Sequence, residues 1–89
     1  LLHCDFGIVY LGFSTDTQHN AYVLKDGETE APAGLREGQR RGTRLQDIVF
    51  THAKPGVTGN AALAATIAQG KAEQLTPIVY CHPIGFHGH

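Results

Sequence analysis

Hydrophobic residues in the first part of the chain fall in two runs, Leu2 to Tyr10 and Phe13 to Leu24. Both are rich in Val, Ile, Tyr, Phe and Thr, and Gly12 lies near the break between them. That composition predicts two antiparallel strands joined by a tight connection. Asp26-Gly27 closes the second run. Glu28 to Ala33, with its acids and a proline, suits the start of a helix whose dipole would favour carboxylates there. Further on, Leu35, Leu45, Ile48 and Val49 mark one apolar helical face, with Arg36, Arg40, Arg41 and Arg44 mostly on the other. Gly38 and Gly42 interrupt this helix, each at a cost of about 1 kcal/mol relative to Ala, so they either permit close packing or leave the helix locally weak. The arginines read as a solvated face. Lys54-Pro55-Gly56 ends the helix, and Thr58 or Asn60 can cap a second one built on Ala61, Ala62, Leu63, Ala64, Ala65 and Ile67. These alanines suggest close contact with a neighbour. Pro77 to His82 reads as a last strand with proline at its start, where a missing N–H does no harm. The expected order is strand, strand, helix, helix, strand, an α+β arrangement.

Eighty-nine residues with seven Lys and Arg against eight Asp and Glu form one domain at most, with a near-neutral charge. Such a balance gives no electrostatic case for nucleic acid or an anionic membrane surface as a partner. No apolar run approaches the roughly 18 residues that span a bilayer, and the N-terminus has no basic start or cleavage site of a signal peptide. Those features favour a cytoplasmic location. The chain opens on Leu1 in what looks like a strand and closes on His89, itself part of a motif, so we expect a segment of a longer protein. The two cysteines, Cys4 and Cys81, are too few for a disulfide framework, and their spacing fits no zinc module. Each precedes a candidate ligand by one residue, which places both thiols on the opposite sheet face, where buried apolar thiols are expected.

Asp5 and Asp16 are the candidates for chemistry. They lie eleven residues apart, and folding the chain about Tyr10 and Leu11 would set them directly opposite, with Cβ atoms roughly 5 Å apart on one face. Two facing carboxylates repel each other, and a divalent cation turns that repulsion into binding energy. At that spacing they suit a pair of ions about 3.5–4 Å apart. The ending His82-Pro83-Ile84-Gly85-Phe86-His87-Gly88-His89 adds imidazoles. His82 can ligate a borderline metal, and a turn at Gly85 and Gly88 would fold His89 back as a donor behind the ligands. A flexible histidine-bearing tail remains the alternative for this ending.

Several motifs together carry a resemblance. Asp5-Phe6-Gly7-Ile8-Val9-Tyr10-Leu11-Gly12-Phe13-Ser14-Thr15-Asp16-Thr17, then Gln46-Asp47-Ile48, then Lys54-Pro55-Gly56-Val57-Thr58-Gly59, then His82 to His89 resemble the pita-bread metallopeptidases. These include methionine aminopeptidase, prolidase and Xaa-Pro aminopeptidase, with creatinase as a relative. The resemblance runs through nearly the whole chain. It implies that residues 1–89 are a single partial catalytic domain of pita-bread type, with Asp5, Asp16 and His82 as metal ligands and His89 as the catalytic histidine. It further implies two divalent ions, Mn, Co or Zn, as cofactors, a peptide as substrate, and a full-length parent that allows a homodimer. The implied reaction is hydrolysis of an N-terminal peptide bond by a hydroxide held between the two metals. Pro83 stands where methionine aminopeptidases carry glycine, which favours the Xaa-Pro and prolidase branch. The family completes its site with two glutamates at positions past His89. None of Glu28, Glu30, Glu37 and Glu73 matches those glutamates, so this chain alone is expected to bind metal weakly and turn over little substrate. The rival readings are a non-catalytic pita-bread module that binds peptides or proteins, and a creatinase-like hydrolase that cleaves a C–N bond without metal.

Overall fold

The computed structural model describes residues 1 to 86 and has mixed strands and two helices, an α+β chain. It divides into two compact units. One consists of Leu1–Ala31 with the segment that begins at Cys81, and the other is Pro32–Tyr80.

The first unit is a hairpin in two ladders. β1 (Leu2–Phe6) pairs antiparallel with β4 (Thr17–Ala21), and β2 (Val9–Tyr10) with β3 (Phe13–Ser14). The turn is Leu11-Gly12, with φ values of 50° and 83°. Two consecutive positive φ angles make the mirror-image turn whose twist matches paired strands. Glycine adopts this conformation freely and leucine does so at a cost. The fold point therefore lies between Leu11 and Gly12, one residue beyond the Tyr10-Leu11 point expected from the aspartate spacing.

Each expected long strand is split in two, and Thr15 is the reason. Its backbone N–H donates to the Ile8 carbonyl at 2.9 Å, but the Ile8 N–H donates in return to Thr15 Oγ1 at 3.1 Å. A side-chain oxygen thus replaces the backbone carbonyl on that rung. The displaced Thr15 carbonyl turns toward Gly7, where an added Cβ would lie 2.5 Å from it. Only glycine leaves room for that oxygen. The second run also ends earlier than Leu24. Beyond Ala21 the Glu28 carboxylate accepts from Tyr22 Oη at 2.9 Å and from the Lys25 N–H at 2.8 Å. Those bonds hold the loop that turns at Gly27 (φ 84°), and the contact with Glu28 raises the Tyr22 pKa above its ordinary value. Glu28 is therefore a loop anchor and not a helix-dipole partner, because the following helix starts only at Ala33 and has no acid in its first turn.

The second unit is a helical hairpin, α1 (Ala33–His52) and α2 (Gly59–Ala72). α2 is capped by Thr58, whose Oγ1 accepts from the Ala61 N–H at 3.2 Å. Its C-terminus closes through Gln74 at φ 57°, with Gln74 N–H to Lys71 O at 3.0 Å and Leu75 N–H to Gly70 O at 2.8 Å. These two bonds satisfy carbonyls that the helix leaves open, as in the Schellman arrangement. Between the helices Ile48 and Thr66 are buried. Gly70 lets Pro77 pack against α2, since a Cβ there would lie 3.2 Å from the proline ring. Gly38 and Gly42 have nothing within 4 Å of an added Cβ. Of the two readings of these glycines, local helix weakness holds.

The arginine face is exposed but not merely solvated. Arg44 makes a two-pronged contact with Glu73 of the α2 C-cap at 2.7 and 2.8 Å, and Arg41 reaches the Gln74 carbonyl at 2.5 Å. Gln69 carries the network across the helices, donating to Glu73 Oε1 at 3.0 Å while its own oxygen meets His52 Nε2 at 2.7 Å. Leu75 to Tyr80 then runs with Leu75, Pro77 and Val79 half-buried and Thr76, Ile78 and Tyr80 exposed. That alternation is extended backbone, yet the expected last strand joins no ladder among the described residues. Its composition favours a strand, but a ladder also needs a neighbouring edge with free N–H and C=O groups in register.

Candidate metal centre

Two of the candidate ligands converge. His82 Nε2 lies 3.3 Å from Asp16 Oδ2, with the aspartate side chain 16% exposed. Both residues belong to the hairpin unit. Asp16 directly follows Thr15, whose two bonds to Ile8 fix where it emerges. His82 is oriented by its other nitrogen, which lies 2.9 Å from the Pro83 carbonyl. A carbonyl only accepts, so Nδ1 carries the proton in that contact; with a second proton on Nε2 the ring forms an ion pair with Asp16, and without it Nε2 turns a lone pair toward that carboxylate.

The proton on Nε2 decides the chemistry of the pair. A lone pair on Nε2 facing a carboxylate oxygen is repulsive unless a cation or a second ring proton lies between them. A metal bonded to both at about 2.1 Å would hold N and O roughly 3.0 to 3.4 Å apart, for ligand angles from octahedral to tetrahedral. The observed separation falls within that interval. Histidines that bind metal generally donate the remote N–H to a carbonyl or carboxylate, as His82 does. On these grounds the pair fits a divalent cation.

Asp5 is not directly opposite Asp16. The register pairs Asp5 with Gln18, and Cys4 with His19. The later fold point leaves Asp16 two positions before the residue that pairs with Asp5, in the gap between β3 and β4. Among the described residues no three His, Cys, Asp or Glu side chains converge as a metal-holding group. His87 and His89 lie outside the described residues. Cys4 and Cys81 are both exposed, contrary to the expectation of buried thiols: every residue of β1 and of its partner β4 is exposed, Cys4 included, and Cys81 lies in no strand.

Three contributors were not singled out by spacing. Pro83 supplies a carbonyl, Thr15 a substitute rung, and Phe86 a ring against Gly12 and Phe13. The abutting His-Pro pair and the glycines at positions 7 and 12 were the available signals. No family model, curated protein or solved structure matches this chain. Among the described residues no helix is long and apolar enough to cross a membrane.

Proposed function

We propose that the Asp16–His82 pair is the carboxylate–imidazole part of a divalent-metal centre of the pita-bread metallopeptidase kind. The observation that supports this is the geometry: His82 Nδ1 lies 2.9 Å from the Pro83 carbonyl while Nε2 lies 3.3 Å from Asp16 Oδ2, the separation that two ligands of one cation would keep. On this reading Asp5 is a more distant carboxylate, and His89 is the substrate-facing histidine. A bound cation would supply Lewis acidity and lower the pKa of a water toward neutrality. In a longer parent, with further carboxylates, the centre would serve hydrolysis of an N-terminal peptide bond of Xaa-Pro type, with Mn, Co or Zn as the metal and a pita-bread fold around it. With two candidate ligands converging among the described residues, the chain itself would bind metal weakly and turn over little substrate.

Calorimetric titration with MnCl2 tests the reading, alongside a proline-dipeptide assay. Weak binding by the wild-type chain that falls at least about 10-fold in both Asp16→Asn and His82→Ala is the expected outcome. Equal affinity in all three proteins rejects the site. Efficient dipeptide cleavage by this chain rejects the need for further carboxylates.

A further inference from the structure

Among the described residues, the segment that carries His82 meets the turn of the hairpin around Gly85 and Phe86. The Ser14 N–H donates to the Gly85 carbonyl at 2.9 Å. Beside that bond the Phe86 ring packs on Phe13, with centroids 4.2 Å apart and planes tilted by 42°. Gly12 makes the contact feasible: at φ 83° an added Cβ would lie 2.9 Å from Phe86 Cε1 and 3.3 Å from Cδ1. Gly85 turns the chain there with φ 122°.

These contacts close a small ring of chain. One arm runs from Ser14 through Thr15 to Asp16, and the other from Gly85 through Ile84 and Pro83 to His82. The first arm is fixed by the bonds between Thr15 and Ile8, and the second by the proline ring and the bond from Nδ1 to the Pro83 carbonyl. With both arms stiff, the separation of the two tips is set where the ring is fastened. Among the described residues the fastening combines the Ser14–Gly85 hydrogen bond with the Phe13–Phe86 contact, and the aromatic contact is the part that a side-chain change can remove.

We propose that Phe86, seated on Gly12 and Phe13, is a positioning residue that holds His82 Nε2 at chelating distance from Asp16, so that cation affinity depends on a ring that touches no cation. The proposal rests on the reading of Asp16 and His82 as metal ligands. Removing the ring frees the His82 arm to move, and a bound cation must then bear the ordering entropy that the clasp supplies in advance.

CoCl2 titration, followed by the visible absorption of the bound ion, compares the wild-type chain with Phe86→Ala, Phe86→Leu, Gly12→Ala and Asp16→Asn. Amide spectra of β1 and β4 report whether each variant keeps the hairpin. We expect Phe86→Ala and Gly12→Ala to weaken Co2+ binding about 10-fold, within the range for residues that orient ligands, and Phe86→Leu to retain most of the affinity. Wild-type affinity in a hairpin-competent Phe86→Ala overturns the clasp while leaving the metal centre intact. Wild-type binding no tighter than that of Asp16→Asn overturns the metal centre, and the clasp with it. If Phe86→Ala loses the hairpin, Gly12→Ala and Phe86→Leu decide the matter, and equal affinity in both overturns the clasp.

Discussion

At the scale of single residues, the hairpin depends on Gly7 and Thr15 more than on any apolar side chain. The Thr15 carbonyl occupies the space a Cβ at Gly7 would need, at 2.5 Å, and a backbone oxygen cannot rotate away as a side chain can. Gly7→Ala is expected to cost about 1–3 kcal/mol, as overpacking does elsewhere, and to displace Asp16 with Thr15. Hydrogen exchange of the β1 and β4 amides and Mn2+ titration would show both effects together, and an unaltered Gly7→Ala chain would refute the account of the split strands. Residue type and order singled out Asp16 and His82 as candidates, and the structure brings the two side chains to 3.3 Å. The register was not legible, because counting from aspartate to aspartate assumes that the carboxylates oppose each other, whereas the positive φ angles at Leu11 and Gly12 place the turn.

At the scale of elements, the helices were the most legible part, since Lys54-Pro55-Gly56 and Thr58 punctuate them directly. α1 nevertheless carries a removable weakness. Gly38 has open space around it, so Gly38→Ala should stabilise the helical unit by about 0.5–1 kcal/mol. Thermal melting followed at 222 nm should show a rise of several degrees, and a fall would mean that the position needs glycine. The clasp between α1 and α2 predicts an acid limb. Glu73 is held down to about 2, first by its bond to Arg44 and then by Gln69, against an ordinary value of 4.5. A carboxyl whose pKa is lowered by folding stabilises the fold above the unfolded value and loses that contribution as the pH falls. Melting temperature should therefore decline as pH drops from about 4.5 toward about 2, and Glu73→Gln should flatten that decline. An acid limb identical in the two proteins would show that Glu73 does not set it. The arginine face was only half legible: amphipathic spacing identifies the exposed side, but not that a neighbouring helix end supplies Glu73 and the Gln74 carbonyl. The last strand was misread for a related reason, because a sequence shows β propensity and not whether an edge stands beside it.

At the scale of the whole chain, the described residues bury little apolar surface. Ile48 is the buried hydrophobic side chain, whereas Val9, Tyr10, Leu11, Phe50, Ile78 and Tyr80 are each more than two-thirds exposed. Deleting core methyl groups costs about 2–5 kcal/mol, which is comparable with the roughly 3–5 kcal/mol that so small a core supplies. Ile48→Ala should therefore unfold the helical unit at room temperature, and far-UV circular dichroism would register the loss of helix. A cooperative, near-wild-type melt would place the stabilising contacts elsewhere. The α+β class could be read from composition, but this scarcity of core could not, since 42% hydrophobic residues is an ordinary figure that says nothing of which ones find partners.

The hairpin unit is assembled from both sides of the helical one, so Asp16 and His82 meet across sixty-six positions of sequence. An ion gripping both would act as a reversible staple. It would shut a long loop whose closure entropy grows only with the logarithm of its length, at about 0.6 kcal/mol per doubling. Lengthening the tether between the helical hairpin and Cys81 would then hardly alter how readily the staple closes, whereas cutting the tether once would turn an intramolecular grip into an encounter between two separate pieces.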